Sequence, residues 1–489
     1  MLTLTWLTST VLAAPGSAPV ESGSSFLERS VSFIGIFVMV GIAWLMSENR
    51  KAIKWRPVLW GIGLQLVFAL LVLSPFLQDF FFNVVDGGVK QLLSFAEAGA
   101  NFVFQSVQPH QILDGGGDAE FVVGRISPPV KTFAFWILPT IVFFSSLMSV
   151  LYHLGVMQVL IRGISWVMQR TMGTSGSESL AAASNIFVGQ TEAPLVIKPY
   201  VDSMTRSELH ALMTGGFATV AGGVLAAYVG FLGGIEGIAG HLVAASIMSA
   251  PAALAISKVV VPETQESPTA GEIKHHVDKA AGNVLEAAAN GAAEGVKLAI
   301  NVAAMLIAFV GLVTMFDWSL TLIPVAFTDT GAAFGWALGA DEAAAIAEAG
   351  ETVGRMKVVG AEPLTLSRLL GWLFFPIALA MGVPWHEAGL VGTLLGEKIV
   401  LTEFLAYIHL GELTNPENPQ LSQRSAIIAS YALCGFANFA SIGIQLGGIG
   451  GLMKREDGMR ELSSLALRAM AAGSLAAFMT GTIAGILLG

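Results

Sequence analysis

The sequence predicts an all-α polytopic membrane protein, and two observations carry that prediction. Of the 489 residues, 54% are hydrophobic and only 12% are charged, whereas a soluble domain carries about 25% charged residues. The apolar residues also form long runs, and a helix needs about 20 predominantly apolar residues to cross a bilayer. Only helices and closed barrels satisfy their backbone in lipid, and these runs are too long and too uniformly apolar for barrel strands.

The apolar runs predict about eight transmembrane helices. Two further stretches, about 176–205 and 366–408, are interrupted by Gly, Pro and acidic residues and are predicted to be re-entrant helical hairpins, because irregular backbone at membrane depth is tolerated where it lines a cavity. Three amphipathic segments, about 155–170, 282–297 and 385–398, are predicted to be interfacial helices. The predicted spans are about 31–47, 57–78, 132–152, 212–233, 237–257, 298–323, 425–447 and 465–488.

This pattern divides the chain into five parts. The first is an N-terminal arm whose apolar start resembles a cleavable signal but lacks a positive n-region, so a signal and an uncleaved arm both remain open. The parts are 1–30, the arm or signal; 31–152, N-terminal scaffold helices; 153–297, an interfacial helix, the first hairpin, a broken span, the following span and a cytoplasmic connection; 298–365, a long scaffold span and an extracellular insert; and 366–489, the second hairpin, a broken span and a C-terminal helix.

Charge predicts the orientation. Arg50, Lys51 and Arg56 follow the first span, which places that connection in the cytoplasm. Counting spans from there puts both termini outside the cytoplasm and the acidic stretch around Asp341 outside as well. We therefore expect a multi-pass protein of the cell membrane. The net charge of −10 argues against nucleic acid as a partner, and the single cysteine, Cys434, excludes an internal disulfide framework.

The two halves of the chain contain a short internal echo. The segment 216–221, Gly-Phe-Ala-Thr-Val-Ala, resembles 435–440, Gly-Phe-Ala-Asn-Phe-Ala, and each follows a predicted hairpin that bears Thr-Glu. Chance is the alternative reading in a Gly- and Ala-rich protein. The identical order of elements favours a two-fold-like repeat in the part that binds solute, since transporters are often built from repeats with broken helices at the site.

Glu192 and Glu403 are the leading functional candidates. A carboxylate at the centre of a membrane helix costs about 2.5–3.5 kcal/mol on insertion scales, so it normally faces a polar cavity and has a function. The alternative is a carboxylate that caps its own turn, or that pairs with Lys198 or Lys398.

The segment 185–194 is predicted to be the tip of the first hairpin. Gly189 and Pro194 bracket four residues, including Gln190 and Thr191, that interrupt regular helix. Free carbonyls at such a break suit a hard cation such as sodium, while Gln, Thr and Glu side chains suit a neutral hydrogen-bonding solute. The alternative is a simple turn between packed helices.

The span 425–447 contributes Asn438 and Ser441, which lie on one helical face. Together with Glu403 they could bind vicinal hydroxyls, and Phe436 could pack against a ring. Interhelical hydrogen bonding and ordinary packing are the alternatives. The histidines show no metal spacing, and the absence of GxSxG, HExxH and Walker patterns argues against a hydrolase and an ATP-driven pump.

These motifs resemble those of the concentrative nucleoside transporter family. Gly-Gln-Thr-Glu-Ala-Pro at 189–194 resembles its first-hairpin signature, and 434–443, Cys-Gly-Phe-Ala-Asn-Phe-Ala-Ser-Ile-Gly, resembles its late-span signature. Leu-Gly-Glu-Lys at 395–398 followed by Thr-Glu-Phe at 402–404 resembles the second-hairpin signature. The resemblance runs from about residue 31 to the C-terminus. One departure is Thr402, where the family usually has Asn, because one hydroxyl cannot reproduce both hydrogen bonds of an amide.

The resemblance implies a homotrimer in which part of each protomer moves like an elevator. It implies nucleobase contacts from the first hairpin, ribose contacts from the second hairpin and the late span, and a sodium site between the first tip and the first broken span. The implied solute residues are Gln190, Thr191 and Glu192 for the base, Glu403, Asn438 and Ser441 for the ribose, and Phe436 and Val224 lining the pocket. The implied sodium ligands are the side chains of Asn185 and Thr219 and the carbonyls of Val188 and Val220.

The sequence thus predicts a secondary active symporter, not an enzyme, that imports nucleosides with sodium as the coupling ion. Its expected partners are nucleosides, the lipid bilayer and further copies of the chain. Three alternatives stay open: a proton-coupled symporter of the same fold, a passive channel, and a non-transporting receptor.

Overall fold

The computed structural model describes residues 26–73, 75–104, 109–113, 119–123, 133–269, 281–320, 352–353, 356–357, 365–455 and 457–488. Most of the predicted N-terminal arm and most of the predicted extracellular insert lie outside these residues. The described chain is almost entirely helical, which confirms the predicted fold class. Two short antiparallel hairpins accompany the helices: β1 (Pro109–Leu113) with β2 (Ala119–Val123), and β3 (Thr352–Val353) with β4 (Met356–Lys357).

The first part of the chain contains one long helix that hydropathy did not predict. Helices α1 (Phe26–Leu45) and α2 (Trp55–Leu73) match the first two predicted spans, and α4 (Leu138–His153) matches the third. Between them lies α3 (Pro75–Phe104), which mixes apolar residues with Asp86 and Lys90. The predicted interfacial segment 155–170 forms α5 (Val156–Met172), with buried residues on one face only, as expected of an amphipathic helix.

Two predicted elements form one continuous helix. The segment 282–297 was predicted to be interfacial and 298–323 to be a span, but both belong to α11 (Val284–Leu320), a single helix of 37 residues. Glu294 and Lys297 lowered the hydropathy at its start without interrupting its backbone. At about 1.5 Å per residue the helix is longer than a bilayer core is thick.

Breaks interrupt the helices in both halves of the chain, in the same order. In the first half α6 (Gly176–Asn185) and α7 (Ala193–Val196) precede α8 (Arg206–Ala218) and α9 (Gly222–Phe231), with α10 (Ile238–Val260) following. In the second half α13 (Ala388–Val400) and α14 (Glu403–Leu413) precede α15 (Gln423–Leu433) and α16 (Phe439–Gly450), with α17 (Gly458–Leu487) following.

The second half differs from the predicted list of elements in two places. The span 425–447, which was predicted to be broken, consists of two short helices, α15 and α16. Seven helical segments of the described residues are long and apolar enough to cross a membrane, against about eight predicted spans. The predicted interfacial segment 385–398 falls largely in α13, which is buried against α14, α15 and α12 (Leu366–Ala380). Glu403, the acidic residue of the second Thr-Glu motif, lies at the junction between α13 and α14.

Capping boxes fix where the first-half helices begin. Ser175 with Glu178 caps α6, and Thr205 with Glu208 caps α8. In each pair, the side chain of each residue accepts a hydrogen bond from the backbone N–H of the other. Glu208 also accepts a hydrogen bond from Ser175 Oγ at 2.5 Å. The N-termini of α6 and α8 are therefore held together, which sets the position of the breaks at their other ends.

Helix α17 is the centre of the packing around the breaks. It contacts α1, α8, α10 and α15, and it is buried over most of its length. Helices α4 and α11 form a separate close pair. A Cβ at Gly291 or Gly295 of α11 would lie 2.5 Å from Ser149 Cβ or 2.8 Å from Val142 Cα, so these glycines let the two backbones approach.

The two breaks touch at Gly435. Its φ of +119° belongs to a region that side chains disfavour, and a Cβ there would lie 2.6 Å from the Phe217 carbonyl oxygen and 2.7 Å from that of Ala218. Glycine is thus required both by the backbone conformation and by the closeness of the first break.

We expect Gly435→Ala to destabilise the protein by about 2 kcal/mol or more, through backbone strain and displacement of the first break. Gly443→Ala is the matched control, because it lies on α16 and a Cβ placed there would have no neighbouring atom within 4 Å. The apparent melting temperature of the detergent-solubilised protein measures the effect. Equal melting temperatures for the two variants would contradict the close contact between Gly435 and the first break.

Candidate functional site

A cavity of about 430 Å³ lies where the helix breaks meet. Its walls come from the α6–α7 connection, α9, α11, the α13–α14 junction and the break before α16. All eight residues predicted to bind solute line it: Gln190, Thr191, Glu192, Val224, Glu403, Phe436, Asn438 and Ser441. The structure therefore brings together side chains that are more than 200 positions apart in the sequence, and their binding roles stay predictions.

Glu403 is held by two donors. It is the first residue of α14, and its Oε1 accepts a hydrogen bond from Tyr228 Oη at 3.0 Å while its Oε2 accepts one from Asn438 Nδ2 at 2.8 Å. Each carboxylate oxygen can accept more than one hydrogen bond. The carboxylate is thus fixed in place and still able to accept from a ligand.

Lys398 does not neutralise Glu403 directly. The buried ammonium group donates to the carbonyl oxygens of Ala432 at 2.8 Å and Cys434 at 3.4 Å. These carbonyls lie at the C-terminal end of α15, where a cation is favourable because the carbonyls lack helical partners. Lys398 therefore stabilises the second break.

Glu192 caps its own turn and also faces the cavity. Its Oε2 accepts a hydrogen bond from the Gly189 backbone N–H at 2.8 Å, and the residue is exposed to the cavity space. Across the residues that the structure describes, no ion pair joins it to Lys198. Glu192 therefore does cap its own turn, as one alternative predicted. Its other carboxylate oxygen remains available to a solute.

Asn438 joins the second break to the acidic residue. Its Oδ1 accepts a hydrogen bond from the Ser441 backbone N–H at 2.8 Å, which caps α16, and its Nδ2 donates to Glu403. Thr402 caps α14 in the same way, since its Oγ1 accepts from the Leu405 N–H at 3.4 Å. A threonine is sufficient for that capping bond.

Sequence reasoning missed two buried positioning residues. Tyr228 holds Glu403 and stacks on Tyr407 with ring centroids 4.2 Å apart. Gln445 Nε2 donates to Gln190 Oε1 at 3.0 Å and to the Met213 carbonyl at 3.1 Å. The available signal was a phenol and an amide inside apolar spans, because such groups need a hydrogen-bond partner there.

Sequence reasoning also missed three polar residues of α11. Glu294, Lys297 and Asn301 of this helix line the cavity. The first two were placed in a predicted interfacial helix, and Asn301 was counted simply as part of a span.

The four predicted sodium ligands lie in the two breaks of the first half and are all buried. Asn185 ends α6, and neither its Oδ1 nor its Nδ2 has a hydrogen-bond partner among the described residues. Thr219 follows α8, and its hydroxyl donates a hydrogen bond to the Gly215 carbonyl at 2.8 Å. Gly215 itself lies beside the Asn185 amide. Because the Thr219 hydroxyl acts as a donor, its oxygen can still coordinate a cation. The Gly222 N–H donates to the Phe187 carbonyl at 3.0 Å, which ties the two breaks together.

This donor set fits a hard monovalent cation. A buried amide oxygen without a hydrogen-bond partner is a natural position for an ordered water or an ion, and carbonyls freed where helices break suit sodium. The described residues contain no group of three or more His, Cys, Asp or Glu that could hold a transition metal.

Broken helices that meet at a cavity lined by several polar side chains, in a polytopic helical protein, are typical of secondary transporters. Three family models match the chain: "Na+ dependent nucleoside transporter N-terminus" at residues 34–107, "Nucleoside recognition" at 134–235 and "Na+ dependent nucleoside transporter C-terminus" at 241–485. The chain belongs to the Na+-dependent nucleoside transporter family, whose members are transporters and not enzymes.

Known relatives agree with this assignment. Sodium/nucleoside cotransporter 1 of Rattus norvegicus is 40% identical over 94% of this chain, and solute carrier family 28 member 3 of Homo sapiens is 37% identical over the same share. The chain spans 64% and 60% of the length of these two proteins. An uncharacterized transporter of Haemophilus influenzae is 38% identical and is covered over 97% of its length.

Solved structures of CNTnw share the fold. Its inward-facing substrate-bound state is 38% identical, with a TM-score of 0.75, and the match covers 94% of this chain and 98% of that one. A CNTnw variant in an outward-facing state matches with a TM-score of 0.77 over 95% and 98% of the two chains.

We expect the hydrogen bond between Tyr228 and Glu403 to appear as a coupling energy. Tyr228→Phe keeps the ring stack but removes a donor to a buried carboxylate, so it should destabilise by about 1–3 kcal/mol. In a Glu403→Gln background the same change should cost less, because the charged acceptor is gone. Melting temperatures of the two single variants and the double variant measure the coupling, and additive effects would show that the bond is not formed.

Proposed function

We propose that this protein is a secondary active symporter that imports nucleosides across the cell membrane together with sodium. The observation that carries the proposal is the Glu403 carboxylate, fixed between Tyr228 and Asn438 and open to the cavity. A fixed carboxylate beside an amide suits a pair of vicinal hydroxyls, because it accepts both while the amide can donate or accept. That is the chemistry of a ribose.

The other face of the cavity suits a nucleobase. Gln190, Thr191 and Glu192 offer both donors and acceptors to the edge of a heterocycle, while Phe436 and Val224 provide apolar contact. Gln445 donates a hydrogen bond to the side-chain oxygen of Gln190, so the Gln190 NH2 group remains free to donate to a solute. A cavity of about 430 Å³ lies within the usual range for small-molecule sites, about 300–1,000 Å³.

Sodium coupling is supported by the continuity between the cation and solute positions. Asn185 and Val188, two of the sodium ligands we propose, come directly before the Gln190–Glu192 segment. A cation bound between the α6–α7 connection and the α8–α9 break would restrict the first tip, so the tip would be ordered before the solute binds. The ion gradient then drives uptake because solute affinity depends on the bound ion.

We further propose an elevator-type motion within a homotrimer. The α4–α11 pair would belong to the static scaffold, while the helices packed around α17 would carry the two tips. Large apolar side chains of α11 such as Ile307, Leu312 and Met315 are exposed in the single chain, which leaves them for lipid or for other copies. The two junctions, α6–α7 and α13–α14, would be the tips of re-entrant hairpins, with both chain termini outside the cytoplasm.

Replacing sodium by choline at fixed pH should reduce concentrative nucleoside uptake by proteoliposomes to the passive level. In Asn185→Leu, which keeps the side-chain size but removes the oxygen, sodium should no longer stimulate uptake. Asn418→Leu in the exposed α14–α15 connection is the control and should retain sodium dependence. Uptake that persists in choline and follows an imposed pH gradient would instead establish the proton-coupled alternative, and uptake that never exceeds equilibration would exclude a symporter and favour a passive pathway.

Glu403→Gln should weaken nucleoside binding by about ten- to a hundred-fold, since a hydrogen bond to a charged group contributes about 1.5–3 kcal/mol. Glu412→Gln removes a carboxylate from the same helix outside the cavity and should bind as the wild type does. Equilibrium titration of the purified protein with a ribonucleoside measures both. Equal affinities for the two variants would exclude Glu403 as a ribose ligand.

A further inference from the structure

The cavity has a third wall whose chemistry the proposed sites do not explain. Glu294, Lys297 and Asn301 project into it from α11 at intervals of three and four residues, which places them on one face of the helix. We call these three residues the α11 polar face. They are exposed in the cavity, and within the described residues neither Glu294 nor Lys297 forms an ion pair or a side-chain hydrogen bond.

The rotation of α11 is fixed by a neighbouring side of the helix. Gly291 and Gly295 lie in backbone contact with α4, where a Cβ would meet Ser149 and Val142 atoms at less than 3 Å. Ser146 Oγ also donates to the Ala288 carbonyl at 2.9 Å. The helix cannot turn about its axis without breaking this contact, so the polar face remains directed into the cavity.

The distribution of charge in the cavity is uneven. Three carboxylates, Glu192, Glu294 and Glu403, face one ammonium group, that of Lys297. Glu192 and Glu294 line the same cavity and carry charge of the same sign. Further along α11 the wall becomes apolar, with Val302 and Met305. A cleft with apolar walls and one predominant sign of charge concentrates its field and repels solutes of that sign.

We propose that the α11 polar face selects solutes by charge, so that the cavity rejects nucleosides that carry a phosphate and accepts neutral or cationic ones. This inference rests on the proposed function, since it concerns discrimination among nucleoside-like solutes. A phosphate group carries about two negative charges at neutral pH, and it would enter beside Glu294 with only Lys297 to offset the repulsion. Glu294 is thus a specificity residue that acts through space, separate from the residues proposed to bind base and ribose.

Three probes that share one base and ribose test the proposal: a nucleoside, its 5′-monophosphate and its 5′-amino-5′-deoxy analogue. Competition binding to the purified full-length protein in lipid nanodiscs gives the affinity of each relative to the nucleoside. For the wild type we expect the order amino analogue, nucleoside, monophosphate. Glu294→Gln should improve the relative affinity of the monophosphate by about five-fold, the scale of one charge at several ångströms in a wet cavity.

Two further variants make the result specific. Lys297→Gln should shift the ratio in the opposite direction, because it removes the only ammonium group of the cavity wall that the structure describes. Glu286→Gln removes a carboxylate from the first turn of α11 outside the cavity and should leave all the ratios unchanged. The Glu294 effect should also decrease with added salt, as a charge effect does.

The outcomes separate this inference from the function on which it rests. If the wild type binds no nucleoside, both are wrong. If it binds the nucleoside but Glu294→Gln and Lys297→Gln change the monophosphate ratio no more than Glu286→Gln does, or change it in the same direction, charge selection by α11 is wrong and the nucleoside site stands.

Discussion

The contact between the two interrupted spans at Gly435 sets the geometry of the whole site. A helix break releases backbone groups that lipid cannot satisfy, so two breaks in contact create a polar region that must be filled by side chains, ions or solute. The carbonyls of Phe217 and Ala218 leave no room for a side chain at Gly435. Before Gly435, Lys398 donates a hydrogen bond to the free Ala432 carbonyl at the end of α15. After Gly435, the Asn438 side chain caps the start of α16. Glu403 and the cavity are positioned by that arrangement.

Both acidic residues could be predicted because a carboxylate in an apolar stretch is costly, and the motifs around them are short and local. The other solute residues were predicted from the local motifs and the family resemblance, the four cation residues from the resemblance alone, and their roles stay predictions. Their partners could not be found this way. Tyr228 meets Glu403 across 175 positions, and Gln445 meets Gln190 across 255, and a distance of that kind leaves no periodic signal in a single sequence.

Hydropathy predicted the fold class but not the ends of the helices. Apolar residues continue through the break between α15 and α16, so hydropathy alone gives one span there; the break was predicted from the repeated Gly-Phe-Ala motif instead. Hydropathy also divided α11, since Glu294 and Lys297 lowered the local hydropathy where the backbone is regular. Both places lie on the wall of the cavity, where function requires polar groups or irregular backbone at membrane depth.

The central claim is that one short segment, from Asn185 to Glu192, serves both the cation and the nucleoside. Thermodynamic linkage then requires each ligand to raise the affinity of the protein for the other by the same factor. Isothermal titration of the purified protein with a nucleoside, in sodium and in choline at equal ionic strength, measures that factor directly. The account predicts clearly tighter nucleoside binding in sodium and a matching gain in sodium affinity when nucleoside is present. Equal nucleoside affinity in the two salts would contradict it.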